Sequence, residues 1–336
     1  MTFEVASLSA IKTLSQSLPT ADSSSAEAAR ARQNQLTKPP GSLGKLEDLA
    51  VFMASWQGTD RPKVETAQAL VFAGNHGICD RGVNPFPQAV TAQMVANFEA
   101  GGAAINQLCR ANGAALTVVP LELDKPTQDF TKGPAMTEAE TLAAMNAGAA
   151  SVDESADILL LGEMGIGNST IAAALACASF GGAPTDWVGA GTGSDAEGMA
   201  LKAAVIAEGL ALHQGLDSIE VLAALGGREQ AAICGAVLAA RAARIPVLLD
   251  GYICTAAVAP LAATDPTLLD HCLIGHASAE PGHKRLTEAM GKPPVLDFAM
   301  RLGEGTGAAL ALGILRSALA CHNGMATFAE AGVADG

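Results

Sequence analysis

The sequence predicts an α/β fold, in which helices cover both faces of a doubly wound, mostly parallel sheet. Short apolar runs of strand length alternate along the chain with longer Ala- and Leu-rich segments of helix length. Nearly continuous apolar strands are typical of parallel sheets, because helices bury both of their faces. With 336 residues, 49% of them hydrophobic, the chain is long enough for one large core and a smaller one. We therefore expect a large α/β domain over residues 64–285 and a small helical domain from residues 1–63 and 286–336.

The first half of the chain supplies the elements in alternating order. Residues 1 to about 60 have helical patterning, with a polar interruption at residues 22–25, and Ser42 is placed to cap the second helix. An apolar strand over residues 69–73 precedes one long helix over residues 88–110. The alternation continues with strands over 116–120 and 158–161 and helices over 138–151, 171–179 and 196–214.

The second half continues the pattern and returns to helices. Residues 221–225 fit either a strand or a short helix. The patterns then predict a helix over 229–243, a strand over 246–250, a helix over 255–263 and a strand over 271–276. From about residue 284 the chain is helical again, most clearly over 308–320. Because both chain ends are helical, we expect them to meet in the small domain.

The composition argues against nucleic-acid binding and membrane insertion. A net charge of −14 repels nucleic acid at long range, although backbone N–H groups and a few cations still bind a small anion locally. Seven scattered cysteines without a C-x-x-C pair suit a reducing compartment. The first residues lack the basic and apolar regions of a signal peptide, and every apolar stretch is interrupted before membrane-spanning length. We expect a cytoplasmic protein that binds neither nucleic acid nor membrane.

A Gly-rich segment, Glu163-Met164-Gly165-Ile166-Gly167-Asn168-Ser169-Thr170, joins a predicted strand to a predicted helix. Glycines let the backbone approach a ligand, and the free N–H groups of a first helical turn favour an anion such as phosphate. Glu163 would lie at the carboxyl end of its strand, where open α/β sheets bind ligands. A second turn, Gly191-Thr192-Gly193, precedes the helix of Lys202. That lysine lies either on a solvated helix face or in the crevice, where it would neutralise a phosphate.

The segment Gly303-Glu304-Gly305-Thr306-Gly307 precedes another apolar helix. Two interpretations of Glu304 remain open from the residues alone. It is either a charge that complements the helix dipole or a catalytic carboxylate. Near apolar side chains, a catalytic glutamate would have a raised pKa and would act as a base.

The histidines are expected to be mainly structural. His76, in the Gly74-Asn75-His76-Gly77 loop, is expected to fix that loop by hydrogen bonds rather than to take part in chemistry. His271, His276, Glu280 and His283 do not have the spacing of a zinc site, so we expect no metal there.

Taken in order, these segments resemble the nicotinate-nucleotide–dimethylbenzimidazole phosphoribosyltransferase (CobT) family. The resemblance covers nearly the whole chain, and one departure is Asn75, where an Asp is frequent. The matching motifs are Lys38-Pro39-Pro40-Gly41-Ser42-Leu43-Gly44-Lys45-Leu46-Glu47, residues 73–77, 87–91 and 97–106, the two Gly-rich segments at 163–170 and 302–308, Asp250-Gly251-Tyr252, and residues 275–283.

The resemblance implies a transferase of cobalamin biosynthesis that needs no cofactor or metal. It would pass the 5-phosphoribosyl group of nicotinate mononucleotide to 5,6-dimethylbenzimidazole, with Glu304 as the general base. The family also implies small-molecule substrates as partners and a homodimer. The phosphate and ribose would contact Glu163, Gly165, Ile166, Gly167, Asn168, Ser169, Thr170, Gly191, Thr192, Gly193 and Lys202. The acceptor base would contact Phe86, Pro87, Gln88, Leu302 and Gly303.

Two other functions are weighed against this one. A nucleotide-dependent oxidoreductase would need the full G-x-G-x-x-G fingerprint, but residue 170, where its last glycine would stand, is Thr. A non-catalytic nucleotide-binding module would not require the Gly-framed Glu304. The P-loop of ATPases and the G-x-S-x-G elbow of hydrolases are absent from the sequence.

Overall fold

A single five-stranded parallel sheet organises the computed structural model, which describes residues 3–191 and 193–334. The strands are β1 (Ala67–Ala73), β2 (Ala114–Pro120), β3 (Ile158–Met164), β4 (Val247–Leu249) and β5 (Cys272–Ile274). Their order is β2-β1-β3-β4-β5, and every neighbouring pair is parallel. The chain moves outward from β1 to β2 and then returns to β3 on the other side of β1, which makes the sheet doubly wound and confirms the predicted fold class.

Helices connect the strands and follow the last one. In the described residues the α-helices are α1 (Ser23–Gln35), α2 (Lys45–Gln57), α3 (Ala89–Glu99), α4 (Ala104–Asn112), α5 (Glu138–Ala150), α6 (Asn168–Phe180), α7 (Ala196–Leu212), α8 (Val221–Leu225), α9 (Arg228–Ala242), α10 (Tyr252–Ala257), α11 (Ala259–Thr264), α12 (Pro281–Met290), α13 (Thr306–Gly324) and α14 (Phe328–Ala331). Short 3₁₀ helices cover Ser9–Gln16, Gly77–Arg81, Pro184–Asp186 and Pro266–Leu269. None of the helices described here is long and apolar enough to cross a membrane.

The two faces of the sheet bury alternate residues of its strands, except for β2, which is only partly buried. In β1, Leu70 and Phe72 pack into one core with α5, α6 and α9. Ala69 and Val71 pack into the other core with α2, α4 and α13. This alternation follows from the twofold side-chain period of a strand, and it explains why the strands are apolar throughout.

The two chain ends meet, as the sequence predicts. Helix α1 packs on α2, and α2 packs on α13. The Arg32 guanidinium in α1 donates to the carbonyls of His322 (2.8 Å) and Met325 (3.0 Å). Helix α13 also packs against β3 and β4, which brings the N-terminus of α13 to the carboxyl end of the sheet. The division into two domains stays a prediction.

The long helix predicted over residues 88–110 is wrong. Helix α3 ends at Glu99 and α4 begins at Ala104, because Gly101 takes a left-handed conformation (φ 78°). The Asn106 side chain then accepts a hydrogen bond from the Ala103 N–H at 3.0 Å, at the start of α4. Residues of high helix propensity lie on both sides of Gly101 and Gly102, so the sequence pattern does not reveal this break.

Two smaller differences have local causes, and one open assignment is resolved. Ser42 does not cap a helix: α2 begins after Gly44, and no side chain caps it. The helix predicted over 255–263 is divided at Val258, because Pro260 has no N–H to donate within the next turn. Residues 221–225, which the sequence left open, form the short helix α8.

Candidate active site

An open cleft of about 790 Å³ lies at the carboxyl ends of β3, β4 and β5. Four carboxyl groups line it, each from a different part of the fold. Glu163 belongs to β3, Asp250 follows β4 directly, Glu280 precedes α12, and Glu304 precedes α13. The carboxyl edge of a doubly wound sheet is where such folds bind ligands, so this cleft is the candidate active site.

Glu304 is held in an unusual backbone conformation. Its φ is 64°, and the glycines on both sides are also left-handed, Gly303 at 84° and Gly305 at 86°. A non-glycine residue in this region carries strain that the surrounding structure must offset. The side chain is only 7% exposed, and its Oε2 has no hydrogen-bond partner within the described residues. Burial, and next the neighbouring charge of Asp250, raise the pKa of Glu304 to about 7. A carboxyl group with this pKa exchanges a proton readily near neutral pH.

Glu163 is also buried in the cleft. It accepts a hydrogen bond from the Asn168 side chain, and a Cβ placed at Gly303 would lie 2.7 Å from its Oε1. Burial raises the pKa of Glu163 to about 8, and the charges of Asp250, Glu229 and Glu304 act in the same direction. Because carboxylates this close disfavour one another's ionisation, we infer that the cleft retains a proton at neutral pH.

The other end of the cleft is suited to an anion. Gly167, which precedes α6, has a φ of 93°, and no side chain caps the helix. The Lys202 ammonium reaches the same end from α7, 3.3 Å from Ser169 Oγ and 3.4 Å from the Gly189 carbonyl. It is only 3% exposed, and burial lowers its pKa, against the opposing effect of Glu280. Of the two positions left open by the sequence, Lys202 therefore occupies the crevice, beside a helix N-terminus that favours negative charge.

Most of the residues predicted for the site meet in this cleft. Those that line it are Glu163, Gly165, Ile166, Gly167, Asn168, Ser169, Gly191, Lys202, Leu302, Gly303 and Glu304. Five others do not line it: Phe86, Pro87, Gln88, Thr170 and Gly193. Thr192 lies outside the described residues.

Three of the five that do not line the cleft have identifiable positions or contacts. Thr170 is fully buried in α6, and the Gln88 side chain donates to the His76 carbonyl at 2.9 Å. Phe86 is 47% exposed. Asn84 and Pro85, from the same loop, line the cleft instead.

Sequence reasoning missed two residues that surround Glu304. Asp250 accepts hydrogen bonds from the first backbone N–H groups of the segment after Glu304, and His276 Nε2 lies 3.7 Å from Asp250 Oδ1. Both line the cleft. The available signal was their position after apolar strands, since Asp250 follows β4 directly and His276 lies two residues after the end of β5.

The remaining histidines do not line the cleft. His76 Nε2 lies 2.7 Å from Glu229 Oε1, with both side chains fully buried, but neither ring nitrogen forms a hydrogen bond within the described residues, so the prediction that His76 fixes its loop by hydrogen bonds is wrong. His271 Nε2 pairs with the Val237 carbonyl at 2.9 Å, and His283 Nδ1 accepts from the Ser278 N–H at 2.8 Å. In the part of the chain that the structure describes, no group of three or more His, Cys, Asp or Glu side chains is arranged to hold a metal ion.

Comparisons with known proteins match the whole of this architecture. A family model described as "Phosphoribosyltransferase" matches residues 18–333. The nicotinate-nucleotide–dimethylbenzimidazole phosphoribosyltransferase of Rhodobacter capsulatus is 66% identical over 327 residues, 97% of this chain and 98% of that protein. The enzyme of the same name from Roseobacter denitrificans is 57% identical over 337 residues and is covered in full.

Solved structures agree with the sequence relatives. A crystal structure of the enzyme of that name from Thermus thermophilus has a TM-score of 0.86 and 41% identity, covering 94% of this chain and all of that one. A structure described as CobT from the same organism has a TM-score of 0.87 and 42% identity, covering 93% of this chain and all of that one.

Proposed function

The chain belongs to the nicotinate-nucleotide–dimethylbenzimidazole phosphoribosyltransferase family, and we propose that it transfers the 5-phosphoribosyl group of nicotinate mononucleotide to 5,6-dimethylbenzimidazole. The products are α-ribazole 5′-phosphate, which supplies the lower ligand of cobalamin, and nicotinate. One observation carries the proposal. A single cleft joins a buried carboxyl group of pKa about 7 to a helix N-terminus and a buried lysine.

We assign the 5′-phosphate to the anion-binding end of the cleft. The N-terminus of α6, Ser169 Oγ and the Lys202 ammonium together offer the positive end of a helix dipole, a hydroxyl and a positive charge. Glu280 supports this end, because its Oε1 accepts from the Gly191 N–H at 3.0 Å and so holds the second glycine turn beside Lys202. Thr170, Thr192 and Gly193 remain proposed members of this subsite through the same two turns.

The acidic end suits the chemistry at the sugar. Nicotinate bound through its ring nitrogen is a cationic leaving group, so it departs without a general acid. The sugar C1′ then carries developing positive charge, which nearby carboxylates stabilise electrostatically. Glu163, at the end of β3, is proposed to face the ribose or the acceptor base.

Glu304 is proposed to be the general base. One nitrogen of dimethylbenzimidazole forms the bond to C1′, while the other nitrogen loses its proton to the Glu304 carboxylate. The carboxylate also orients the ring, because it binds the N–H before the transfer. Leu302 and Gly303 flank this position, and the loop of Phe86, Pro87 and Gln88 borders it through its neighbours Asn84 and Pro85.

The reaction is tested by mixing the purified protein with nicotinate mononucleotide and dimethylbenzimidazole, without metal or NAD. Chromatography with mass detection should show α-ribazole phosphate and an equal amount of nicotinate. Glu304→Gln should abolish most of this product, whereas Glu288→Gln, an exposed glutamate on α12, should retain it. Two unchanged substrates would refute the reaction. Full turnover by Glu304→Gln would refute the assigned base.

We further propose that the protein acts in the cytoplasm as a homodimer. All seven cysteines are free thiols, which suits a reducing compartment. Phe86 and Leu302, at or next to the cleft, are 47% and 58% exposed and offer apolar surface for a second copy. Light scattering on the purified protein measures the mass directly, and a monomer at all concentrations would contradict the dimer.

A further inference from the structure

Asp250 is the hydrogen-bond partner of the backbone that follows Glu304. It lies directly after β4 and is 1% exposed. Its Oδ2 accepts from the Gly305 N–H at 3.2 Å, and its Oδ1 accepts from the N–H groups of Gly307 (2.6 Å) and Ala308 (3.0 Å). One carboxylate thus satisfies three donors at the start of α13, where helices leave such groups unpaired.

The same segment is enclosed from two other strands. From β3, a Cβ placed at Gly162 would lie 2.5 Å from the Gly305 nitrogen. After β5, His276 fills the remaining space, since a Cβ placed at Gly307 would lie 1.8 Å from its Cδ2. His276 Nε2 also lies 3.7 Å from Asp250 Oδ1. Contacts at these three strand ends therefore determine where the strained Glu304 backbone lies.

We propose that Asp250, supported by His276, is a positioning residue for Glu304, because it binds the backbone on the C-terminal side of Glu304 and so fixes its carboxyl group in the cleft. Asp250 makes no contact with the reacting atoms in this proposal and acts only through Glu304. The inference rests on the proposed function, in which Glu304 is the base.

The negative charge of Asp250 also affects the pKa of Glu304. The titratable groups around it are Glu163 from β3, Cys254 from α10, His276 after β5, and Glu304 itself. Burial raises the pKa of Asp250, while His276 and the three backbone N–H groups oppose that rise. After burial, the Asp250 charge is the second cause that raises the pKa of Glu304. Removing that charge should therefore lower the pH at which Glu304 loses its proton.

Two variants separate placement from charge. Asp250→Asn removes the charge and also disturbs placement, because its NH₂ group replaces an oxygen that accepts from a backbone N–H, whereas Asp250→Glu keeps the charge and disturbs only placement, by moving the carboxylate by one methylene. Asp22→Asn is the matched control, because Asp22 caps α1 through the Ser25 N–H at 2.7 Å, in a helix that does not line the cleft. Each variant is measured for melting temperature, for kcat and KM against pH, and for the ¹³C NMR titration of the Glu304 carboxyl without ligands.

We expect both Asp250 variants to lose about 10²-fold in kcat, as a misplaced catalytic group does, while KM for nicotinate mononucleotide stays near that of the parent. Asp250→Asn should also move the acid limb of the kcat profile and the NMR titration of Glu304 to lower pH, and Asp250→Glu should not. Asp22→Asn should leave kcat, KM and the Glu304 titration unchanged, and it should change the melting temperature little, because Asn caps a helix about as well as Asp.

Unchanged kcat in a folded Asp250 variant, or a Glu304 titration that does not move in Asp250→Asn, would overturn the proposal. If Asp250→Asn does not fold, Asp250→Glu decides it: reduced kcat with an unmoved acid limb supports the proposal, and parental kcat overturns it. The ligand-free titration is independent of turnover. If the parent protein makes no product but the Glu304 titration still moves in Asp250→Asn, the proposed function is refuted while the coupling of Asp250 to Glu304 is supported.

Discussion

Replacing Glu304 with Gln should make the protein almost inactive and, at alkaline pH, more stable. Glutamine retains nearly the same shape but has no carboxylate to accept the proton of the acceptor base. Removing a general base typically lowers the rate by about 10²- to 10⁴-fold. In the parent protein, the base works only when ionised, so kcat should rise with pH through the Glu304 pKa of about 7. At pH 6 only about one tenth of the carboxyl groups would be ionised.

The gain in stability follows from the same pKa. The pKa of Glu304 is about 7 in the folded protein, against an ordinary value of 4.5. Each pKa unit corresponds to about 1.4 kcal/mol, so an ionised Glu304 costs the folded state roughly 3 kcal/mol. Because the folded state holds the proton more tightly than the unfolded chain, this cost is absent below about pH 4.5, grows as the pH rises, and is complete above about pH 7. Replacement by Gln should therefore add about 2–3 kcal/mol at pH 8, allowing for water in the open cleft, and almost nothing at pH 4.

Urea unfolding at pH 4 and pH 8 measures the stability change, and product formation measured on the same samples gives the loss of activity. Glu288→Gln provides the control for removing one negative charge from an exposed helix face. If Glu304→Gln were equally or less stable than the parent at pH 8, ionisation of Glu304 would not cost the folded state free energy. The argument for a base with a raised pKa would then fail.

Three other substitutions test separate parts of the structure. Lys202→Met should raise KM for nicotinate mononucleotide by roughly 10- to 100-fold, the value of a charge-assisted hydrogen bond, and an unchanged KM in initial-rate assays would exclude Lys202 from the phosphate site. Gly148→Ala should cost about 1–3 kcal/mol in urea unfolding, because the new Cβ would lie 1.9 Å from the Ala232 carbonyl of α9; unchanged stability would show that the two helices can separate without cost. Asp22→Ala should remove the α1 cap and cost about 1 kcal/mol with full activity, and any loss of kcat would contradict a purely local role.

The fold was predictable because its signals are local. Four of the five described strands are apolar runs that are largely buried on both faces, β2 being only partly buried, and most long helices are Ala-rich runs between turn residues. The errors occur where two local signals compete. At Gly101 the surrounding helix formers outweighed the glycine in the pattern, whereas in the structure its left-handed φ ends α3. At Pro260 the missing N–H divides a segment that composition alone describes as one helix.

The site was only partly predictable, because some residues that contact one another in it lie far apart in the sequence. Glu304 and the α6 turn are marked by glycines next to them, so a short window of sequence reveals them. Asp250 bonds to Gly305 and Gly307, more than fifty residues away, and this pairing exists only once β4 and α13 are packed together. The loop residues Phe86 and Gln88 were placed in the base pocket by resemblance alone. No periodic pattern fixes the direction of a loop side chain, and in the structure their neighbours Asn84 and Pro85 line the cleft.

The charge distribution in the cleft resolves an apparent conflict between an acidic protein and an anionic donor. A net charge of −14 disfavours a phosphate at long range, but the interaction that holds it is short-range. One end of the cleft presents the α6 N-terminus and Lys202, beside a Glu280 carboxylate that accepts from the Gly191 N–H, and the other presents Glu163 and Glu304. A phosphoribosyl donor needs this asymmetry, because its phosphate is negative while its C1′ becomes positive as the leaving group departs. Both ends come from one property of the fold: helix N-termini and the carboxyl ends of parallel strands meet at the same edge of the sheet.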